Sequence, residues 1–186
     1  MPGFIEQVER DTDALFAEAG FSQDEPPSIC ELSVALLGTF PTYADIDQSS
    51  FLMWANGRWQ IEMAESQSLA RTRHAAAVAL ATWWYYSHER WGGMRMANEL
   101  ALSILMPRES FLSEMDERGD DVHALASEFG TPESLVLLRI GMLTGRLAIL
   151  HAATGELAYR GRPTIRNHRM RIEMRDEPGQ WGELAS

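Results

Sequence analysis

The strongest signal for the fold lies between Ser68 and Pro107. The sequence reads SLARTRHAAAVALATWWYY over residues 68–86, SHERWGG over 87–93 and MRMANELALSILMP over 94–107. The first segment is rich in Ala and apolar on nearly every side, which predicts a long buried helix. Gly92 and Gly93 interrupt the pattern, and the third segment predicts a second buried helix that ends before Pro107. We therefore expect two adjacent helices at the centre of the molecule.

A small sheet is predicted before this helix pair. The runs SSFLMWA and RWQIEMA flank Asn56-Gly57, and this dipeptide is the strongest short signal for a hairpin because both residues tolerate a positive φ. We expect the hairpin to extend from Phe51 to Met63. Two amphipathic helices are predicted ahead of it, over residues 4–19 and 28–37.

The C-terminal part of the chain predicts two more helices, over residues 120–129 and 131–144. Leu147–Ala153 and Glu156–Arg160 are predicted to pair as a second hairpin. Alternating apolar and polar residues over 169–175 predict an edge strand. We expect one domain over residues 1–162, followed by an Arg-rich strand or tail over residues 163–186.

Composition narrows the classes of function. The chain has 186 residues, of which 45% are hydrophobic, as in a globular domain with its own core. Its net charge of −11 disfavours nucleic acid and anionic membranes as partners, because phosphate groups repel it. Cys30 lies in an apolar pattern, which predicts a buried, inert thiol. The absence of a targeting segment or a membrane-spanning apolar run predicts a cytoplasmic protein.

The order of these segments resembles the ImmA/IrrE family of metallo-endopeptidases over residues 27–145. The resemblance lies in PPSICELSVALLG, NGRWQIEMA, Arg71-Thr72-Arg73, Ala97-Asn98 followed by LALSILMP, and HALASEFGTPESLVLLRIGML. It implies an α+β fold, mainly helical, with a zincin-like core and a small twisted β-sheet. It also implies a link to helix-turn-helix repressors, on which the peptidases of this family act.

The family's catalytic residues are missing. Its H-E-x-x-H motif needs two His one helical turn apart and a Glu that activates water. In this chain Val78, Ala79 and Thr82 occupy those positions, and Met94 or Met96 occupies the position of the third ligand. None of these side chains binds zinc tightly or acts as a general base. We therefore expect no catalytic residue, no bound metal and no cofactor here; whether the replaced positions close the former cleft or leave it open for a peptide stays undecided.

Other polar residues leave alternatives open. An active hydrolase with a relocated metal site would need His74, His88, Glu89 or His151 to converge. A helix-turn-helix reading of residues 121–143 is disfavoured, because Arg139 is the only group in the second helix suited to base contacts.

The leading functional hypothesis is a catalytically inactive relative of these peptidases that binds a protein. Its partner would be a helix-turn-helix regulator, or an extended peptide along the hairpin edge. Candidate partner-binding residues are Trp54, Trp59, Arg169, Arg171 and Arg175. The alternatives are the relocated hydrolase and a structural or assembly protein of a mobile element, with dimerisation through the Arg-rich strand.

Overall fold

The computed structural model describes residues 3–23, 27–47, 50–90, 93–119 and 121–145, and the backbone of four strands between residues 147 and 183. The chain has an α+β fold that is mostly helical with a small mixed sheet, as the sequence predicts. It divides into two compact units, residues 1–111 and residues 112–186. The boundary predicted near residue 162 falls outside the described residues and stays a prediction.

The first unit combines helices with a three-stranded sheet. Its described elements are α1 (Phe4–Ala19), α2 (Ile29–Leu37), β1 (Thr42–Ala44), β2 (Ser50–Ala55), β3 (Arg58–Ala64), α3 (Leu69–Ser87), α4 (Met94–Leu105) and the start of α5 (Arg108–Arg118). The helices predicted for this part agree with α1 to α4 to within one residue at each end. Their caps and breaks are local signals, which explains the agreement.

The predicted hairpin is confirmed. β2 and β3 pair antiparallel from Ser50↔Met63 to Ala55↔Arg58. The turn residues have positive φ, 53° for Asn56 and 79° for Gly57, which is the conformation of the tight turn that fits the twist of a hairpin. The strand order is β1-β3-β2, with β1 parallel to β3. β1 was not predicted, because three residues are too few to show an alternating pattern.

The core of the first unit lies around α3, which packs against α4, α2 and the sheet. Ala76, Ala77, Leu80 and Ala81 are fully buried, and their small or compact side chains let neighbouring elements approach closely. The opposite side of α3 is only half-buried, so the prediction that this helix is buried on nearly every side is wrong. This half-buried side of α3 carries residues of the candidate functional site.

Cys30 is exposed, which contradicts the predicted buried thiol. The buried residues of α2 are Ile29, Leu32, Ser33 and Leu37. These positions share one helical face, since residues three and four apart lie above one another. Cys30 lies off this face, and the apolar run around it is longer than the stripe that the core can cover.

The second unit contains the rest of α5, α6 (Val122–Phe129), α7 (Glu133–Thr144), β4 (Leu147–His151), β5 (Leu157–Arg160), β6 (Glu173–Glu177) and β7 (Gln180–Glu183). β4 and β5 pair antiparallel, which confirms the second predicted hairpin. Residues 169–172 of the predicted edge strand lie outside the described residues. No described helix is long and apolar enough to cross a membrane.

The described part of the C-terminal strand is not at an edge, contrary to the prediction. β6 lies between β4 and β7 in a sheet of order β5-β4-β6-β7. It is parallel to β4 and antiparallel to β7. The sequence signal for a second strand after β6 is the Pro178-Gly179 turn dipeptide. β7 pairs along β6 and covers the edge that β6 would otherwise expose.

Candidate functional site

The positions that the resemblance assigns to the family's catalytic residues lie on α3 and α4. Ala79 is buried, whereas Val78, Thr82 and Met96 are half-buried and Met94 is 52% exposed. Thr82 Oγ1 donates a hydrogen bond to the carbonyl oxygen of Val78 at 2.8 Å, so its hydroxyl is satisfied within the helix. Val78, Thr82 and Met96 therefore keep solvent-accessible surface and are not sealed within the core.

These side chains do not fit a zinc ion of the peptidase kind. A catalytic zinc site needs three protein donors among His, Cys, Asp and Glu, and Val78, Ala79 and Thr82 supply no donor of these types. In the part of the chain that the structure describes, no group of three or more such residues lies close enough to hold a metal ion. The chemistry of the donor set therefore supports no metal-dependent step at this position.

The structure does not bring together the residues of the relocated hydrolase. His74 and His88 lie fourteen residues apart on or just beyond α3, which corresponds to about 21 Å along a helix axis. Glu89 follows α3 with a positive φ and is exposed. The side chain of His151 lies outside the described residues. Burial lowers the pKa of His74, which is the behaviour of a packed neutral imidazole.

The polar contacts of His88 hold the end of α3 in place and do not form a catalytic site. Its Nδ1 lies 2.8 Å from the carbonyl oxygen of Trp84, and its Nε2 lies 3.1 Å from a carboxylate oxygen of Glu18. A carbonyl oxygen only accepts, so Nδ1 must carry a proton and cannot take one from the nearby Ser87 hydroxyl. Ser87, His88 and Glu18 therefore do not form a nucleophile, base and acid triad. They fasten the end of α3 to α1.

A cluster of three aromatic side chains, Trp54, Trp59 and Tyr86, forms what we call the aromatic surface. The ring centroids of Trp54 and Trp59 are 5.4 Å apart, and those of Trp59 and Tyr86 are 6.4 Å apart, both pairs in edge-to-face geometry. Trp54 is 60% exposed and Tyr86 is 69% exposed. Large exposed aromatic groups held in fixed geometry are typical of binding surfaces. The structure thus brings together two predicted residues, Trp54 and Trp59, with a third that the sequence did not single out.

The aromatic surface continues along α3. His74, Val78, Thr82 and Tyr86 follow one another at four-residue intervals, which places them on one side of the helix. All four are half-buried or exposed. The side of α3 that these residues share is therefore the accessible one. We call this row the α3 face.

Strand β2 runs beside α3 in the same direction. Ser50 Oγ at the start of β2 donates to the carbonyl oxygen of Ala75 at 3.0 Å. At the other end, Trp54 pairs with Trp59, which contacts Tyr86. The eleven residues from Ala75 to Tyr86 rise about 16 Å, close to the roughly 13 Å from Ser50 to Trp54 in an extended strand. Among the described strands only β3 hydrogen-bonds to β2, so no described strand pairs with the other edge of β2.

The polar contacts that fix the end of α3 have no recognisable signal in the sequence. The buried carboxylate of Asp11 accepts hydrogen bonds from Tyr85 Oη at 2.9 Å and from Gln7 Nε2 at 2.8 Å, and it faces Arg90 at 3.5 Å. Burial raises the pKa of the Tyr85 hydroxyl, and the negative charge of Asp11 raises it further. Residues of α1 thereby hold the last turn of α3 in place, and this turn carries Tyr86 of the aromatic surface.

A cavity of about 460 Å³ lies between α1 and the start of α5. Its walls carry acidic and aromatic side chains, and several of its polar groups have hydrogen-bond partners within the protein. Gln23 donates to Asp13 and accepts from the backbone N–H of Arg108, and Glu9 accepts from Ser103 at 3.3 Å. Hydrogen bonds of this kind are typical of the places where neighbouring helices pack together.

The remaining predicted site residues do not join the aromatic surface within the described structure. Arg169 and Arg171 lie outside the described residues, and only the backbone of Arg175 is described, in β6. Arg139, the residue that a DNA-reading helix would have used, is completely buried. Helix α7 therefore cannot present it to a base.

Comparisons with known proteins agree with this fold but assign no family. No family model matches the chain, and no curated protein matches it. A solved structure named as a Mycobacterium tuberculosis transcriptional regulator is similar, with a TM-score of 0.56 and 15% sequence identity. The match covers 73% of this chain and 47% of that one, so this chain spans about half the length of that protein. At this identity the likeness shows the fold alone.

Proposed function

We propose that this protein is a binding module of a zincin-like scaffold, related to the ImmA/IrrE peptidases but without their catalysis, and that it regulates a protein partner. The observation that carries the proposal is the exposed aromatic surface at the end of an uncharged sheet edge with which no described strand pairs. The emptied catalytic positions on α3 and α4 agree with it. The transcriptional regulator with a similar fold also agrees with a regulatory role.

The geometry favours an extended segment as the bound part of the partner. Such a segment would add a strand to β2 through backbone hydrogen bonds, which is a common mode of peptide recognition. Its side chains on one side would then lie over the α3 face, where Val78 and Thr82 leave room. An apolar or aromatic residue at one end would pack on Trp54 and Tyr86, because buried aromatic groups contribute strongly to binding.

A helix-turn-helix regulator is the partner that we propose to test first, because the family resemblance links this scaffold to such proteins. Titration calorimetry should detect binding between the purified chain and helix-turn-helix regulators encoded beside its gene. Replacing both Trp54 and Tyr86 by Ala should weaken the affinity at least about ten-fold, since aromatic anchors commonly contribute more than 1.4 kcal/mol each.

A matched control is Leu69→Ala. Leu69 is 66% exposed but begins α3, seventeen residues before Tyr86, so the exposed apolar area is lost away from the aromatic surface. This variant should bind as the natural chain does. Equal affinities of the double variant and the natural chain would contradict the site, and a lack of binding to every such regulator would contradict the partner.

The absence of family chemistry is tested by elemental mass spectrometry of the untagged protein after dialysis with zinc supplied. A zinc-to-protein ratio near zero, with the regulator intact after incubation, is the expected result. A ratio near one together with cleavage of the regulator would overturn the proposal in favour of an active hydrolase.

A further inference from the structure

Strand β2 lacks the features that usually protect the edge of a sheet. Its sequence, SFLMWA over residues 50–55, contains no charged residue and no Pro. Its pairing with β3 is continuous over six residue pairs. Single-chain sheets commonly guard such edges with charges, Pro, bulges or a covering element. An unguarded edge of this length is a template for another strand.

The two sides of β2 differ in what they contact. Ser50 bonds to α3, so Leu52 and Trp54 point to the same side, because alternate residues of a strand share a side. Phe51 and Met53 point to the outer side of the sheet and are 40% and 36% exposed. The edge therefore carries exposed apolar groups on its outer side in addition to the aromatic surface on its inner side.

The order of residues in β2 is self-complementary. When two copies of β2 pair antiparallel around a two-fold axis at Leu52, Phe51 of each copy lies opposite Met53 of the other. Ser50 then lies opposite Trp54, and Leu52 lies opposite Leu52. Four large apolar side chains meet on the outer side, and no charged residues oppose each other. Cross-strand pairs of this kind stabilise a sheet, whereas like charges would oppose the pairing.

We propose that a second copy of this chain covers the edge of β2 with which no described strand pairs, through this antiparallel pairing, which joins two three-stranded sheets into one of six strands. Such a dimer is closed by its own symmetry and does not extend into a filament. It also occupies the edge proposed for the regulator segment. The regulator and the second copy would then compete; this competition rests on the proposed function, whereas the dimer does not.

Sedimentation velocity of the full chain over a range of micromolar concentrations tests the dimer. We expect a reversible monomer–dimer equilibrium that strengthens with salt, because screening reduces the repulsion between two copies of net charge −11. Met53→Lys should weaken the dimer at least about ten-fold, since a Lys on an edge opposes strand pairing. Circular dichroism checks that the variant is folded.

The matched control is Tyr43→Lys on β1, at the other edge of the sheet, where Tyr43 is 52% exposed. It introduces the same charge at a comparable exposed site and should leave the dimer unchanged. The register is tested with Cys30→Ser and the further changes Phe51→Cys and Met53→Cys. Mild oxidation should then cross-link two copies, because directly opposed strand residues lie within disulfide range.

The dimer proposal fails if the natural chain stays monomeric at high micromolar concentration. It also fails if Met53→Lys leaves the dimer intact, or if Tyr43→Lys disrupts it equally. These results are separate from those for the proposed function. A monomer that binds its regulator would overturn the dimer alone, and a dimer that binds no regulator would overturn the partner alone. If both forms exist, added regulator should convert dimers into complexes with one copy of the chain.

Discussion

At the residue scale, Asp11 shows how a buried charge is retained in this fold. Its carboxylate lies in the core but bonds to Tyr85 and Gln7 and faces the guanidinium of Arg90. Burying a charge is costly unless it is paired and hydrogen-bonded. Here the partners come from α1 and from the end of α3 and the residues that follow it, so the burial of Asp11 depends on the correct assembly of α1 and α3.

Replacing Asp11 by Ala should lower the free energy of unfolding by about 2–4 kcal/mol, because the Tyr85 hydroxyl and Arg90 lose their partner in or near the core. Urea unfolding measures this. Tyr85→Phe removes the hydroxyl alone, and the double variant should lose less than the sum of the two single variants. Additive losses would mean that the Asp11–Tyr85 contact is not energetically coupled.

His74 should make the stability depend on pH on the acid side. Burial lowers its pKa in the folded state, so the unfolded chain takes up a proton first. The folded state therefore loses stability as pH falls below the ordinary His pKa of about 6.5 toward the lowered value. Urea unfolding between mildly alkaline and mildly acidic pH should show this decline, and His74→Gln should reduce it.

His123 provides a comparison of opposite sign. Its pKa is raised by the hydrogen bond and the charge of Glu133, 3.0 Å away. The stabilisation that His123 gives to the folded state is fully present below pH of about 6.5. It is lost as the pH rises through the raised pKa of His123. Because both side chains are accessible to solvent, the effect of His123→Gln should be small. A steeper acid-side decline in His74→Gln than in the natural chain would contradict the assignment for His74.

At the element scale, the β2–β3 hairpin connects local sequence to the proposed surface. The Asn56-Gly57 turn sets the register that places Trp54 opposite Trp59. A shift of one residue would move these side chains to opposite sides of the sheet, since side chains alternate along a strand. The aromatic surface therefore depends on the turn as much as on the aromatic residues.

Gly57→Ala should destabilise the first unit by about 1–2 kcal/mol, because Gly57 has a φ of 79° and a side chain is disfavoured there. There is no steric obstacle near the position, so the cost should come from the backbone conformation alone. Thermal or urea unfolding gives the magnitude. Asn56→Gly, which keeps the turn conformation accessible, should be tolerated; equal losses in both variants would contradict this account.

Helix α2 offers a second test at this scale. Ser28 and Glu31 form a capping box in which Ser28 Oγ accepts from the backbone N–H of Glu31, and the Glu31 carboxylate accepts from the Ser28 backbone N–H. Ser28→Ala should cost about 1 kcal/mol in urea unfolding. Ser28→Asp, which restores an acceptor, should recover most of that loss. No difference between the two variants would show that the cap is not limiting.

At the scale of the whole molecule, the charge distribution argues against binding to nucleic acid. The chain carries 27 acidic and 16 basic residues, and Arg139 is withdrawn into the core. Nucleic-acid affinity depends on neutralising several phosphates with accessible cations.

The purified chain should therefore not retard duplex DNA in a mobility-shift assay, even at low salt, where electrostatic binding is strongest. The proposed regulator partner serves as the positive control in the same gel. Retardation that weakens steeply with salt would show a phosphate-binding surface and would contradict the interpretation of the net charge.

Local sequence patterns were enough to predict the bounds of α1 to α4, the hairpin around Asn56-Gly57 and the lack of zinc-binding groups at Val78, Ala79 and Thr82. These features depend on neighbouring residues, such as caps, turns and short spacings. The packing of the helices and the sheet, in contrast, is what brings Tyr86 to Trp54 and Trp59, brings Asp11 to Tyr85 and leaves Cys30 exposed. Burial and contacts between residues far apart in the chain depend on how elements pack, and local patterns carry no record of that packing.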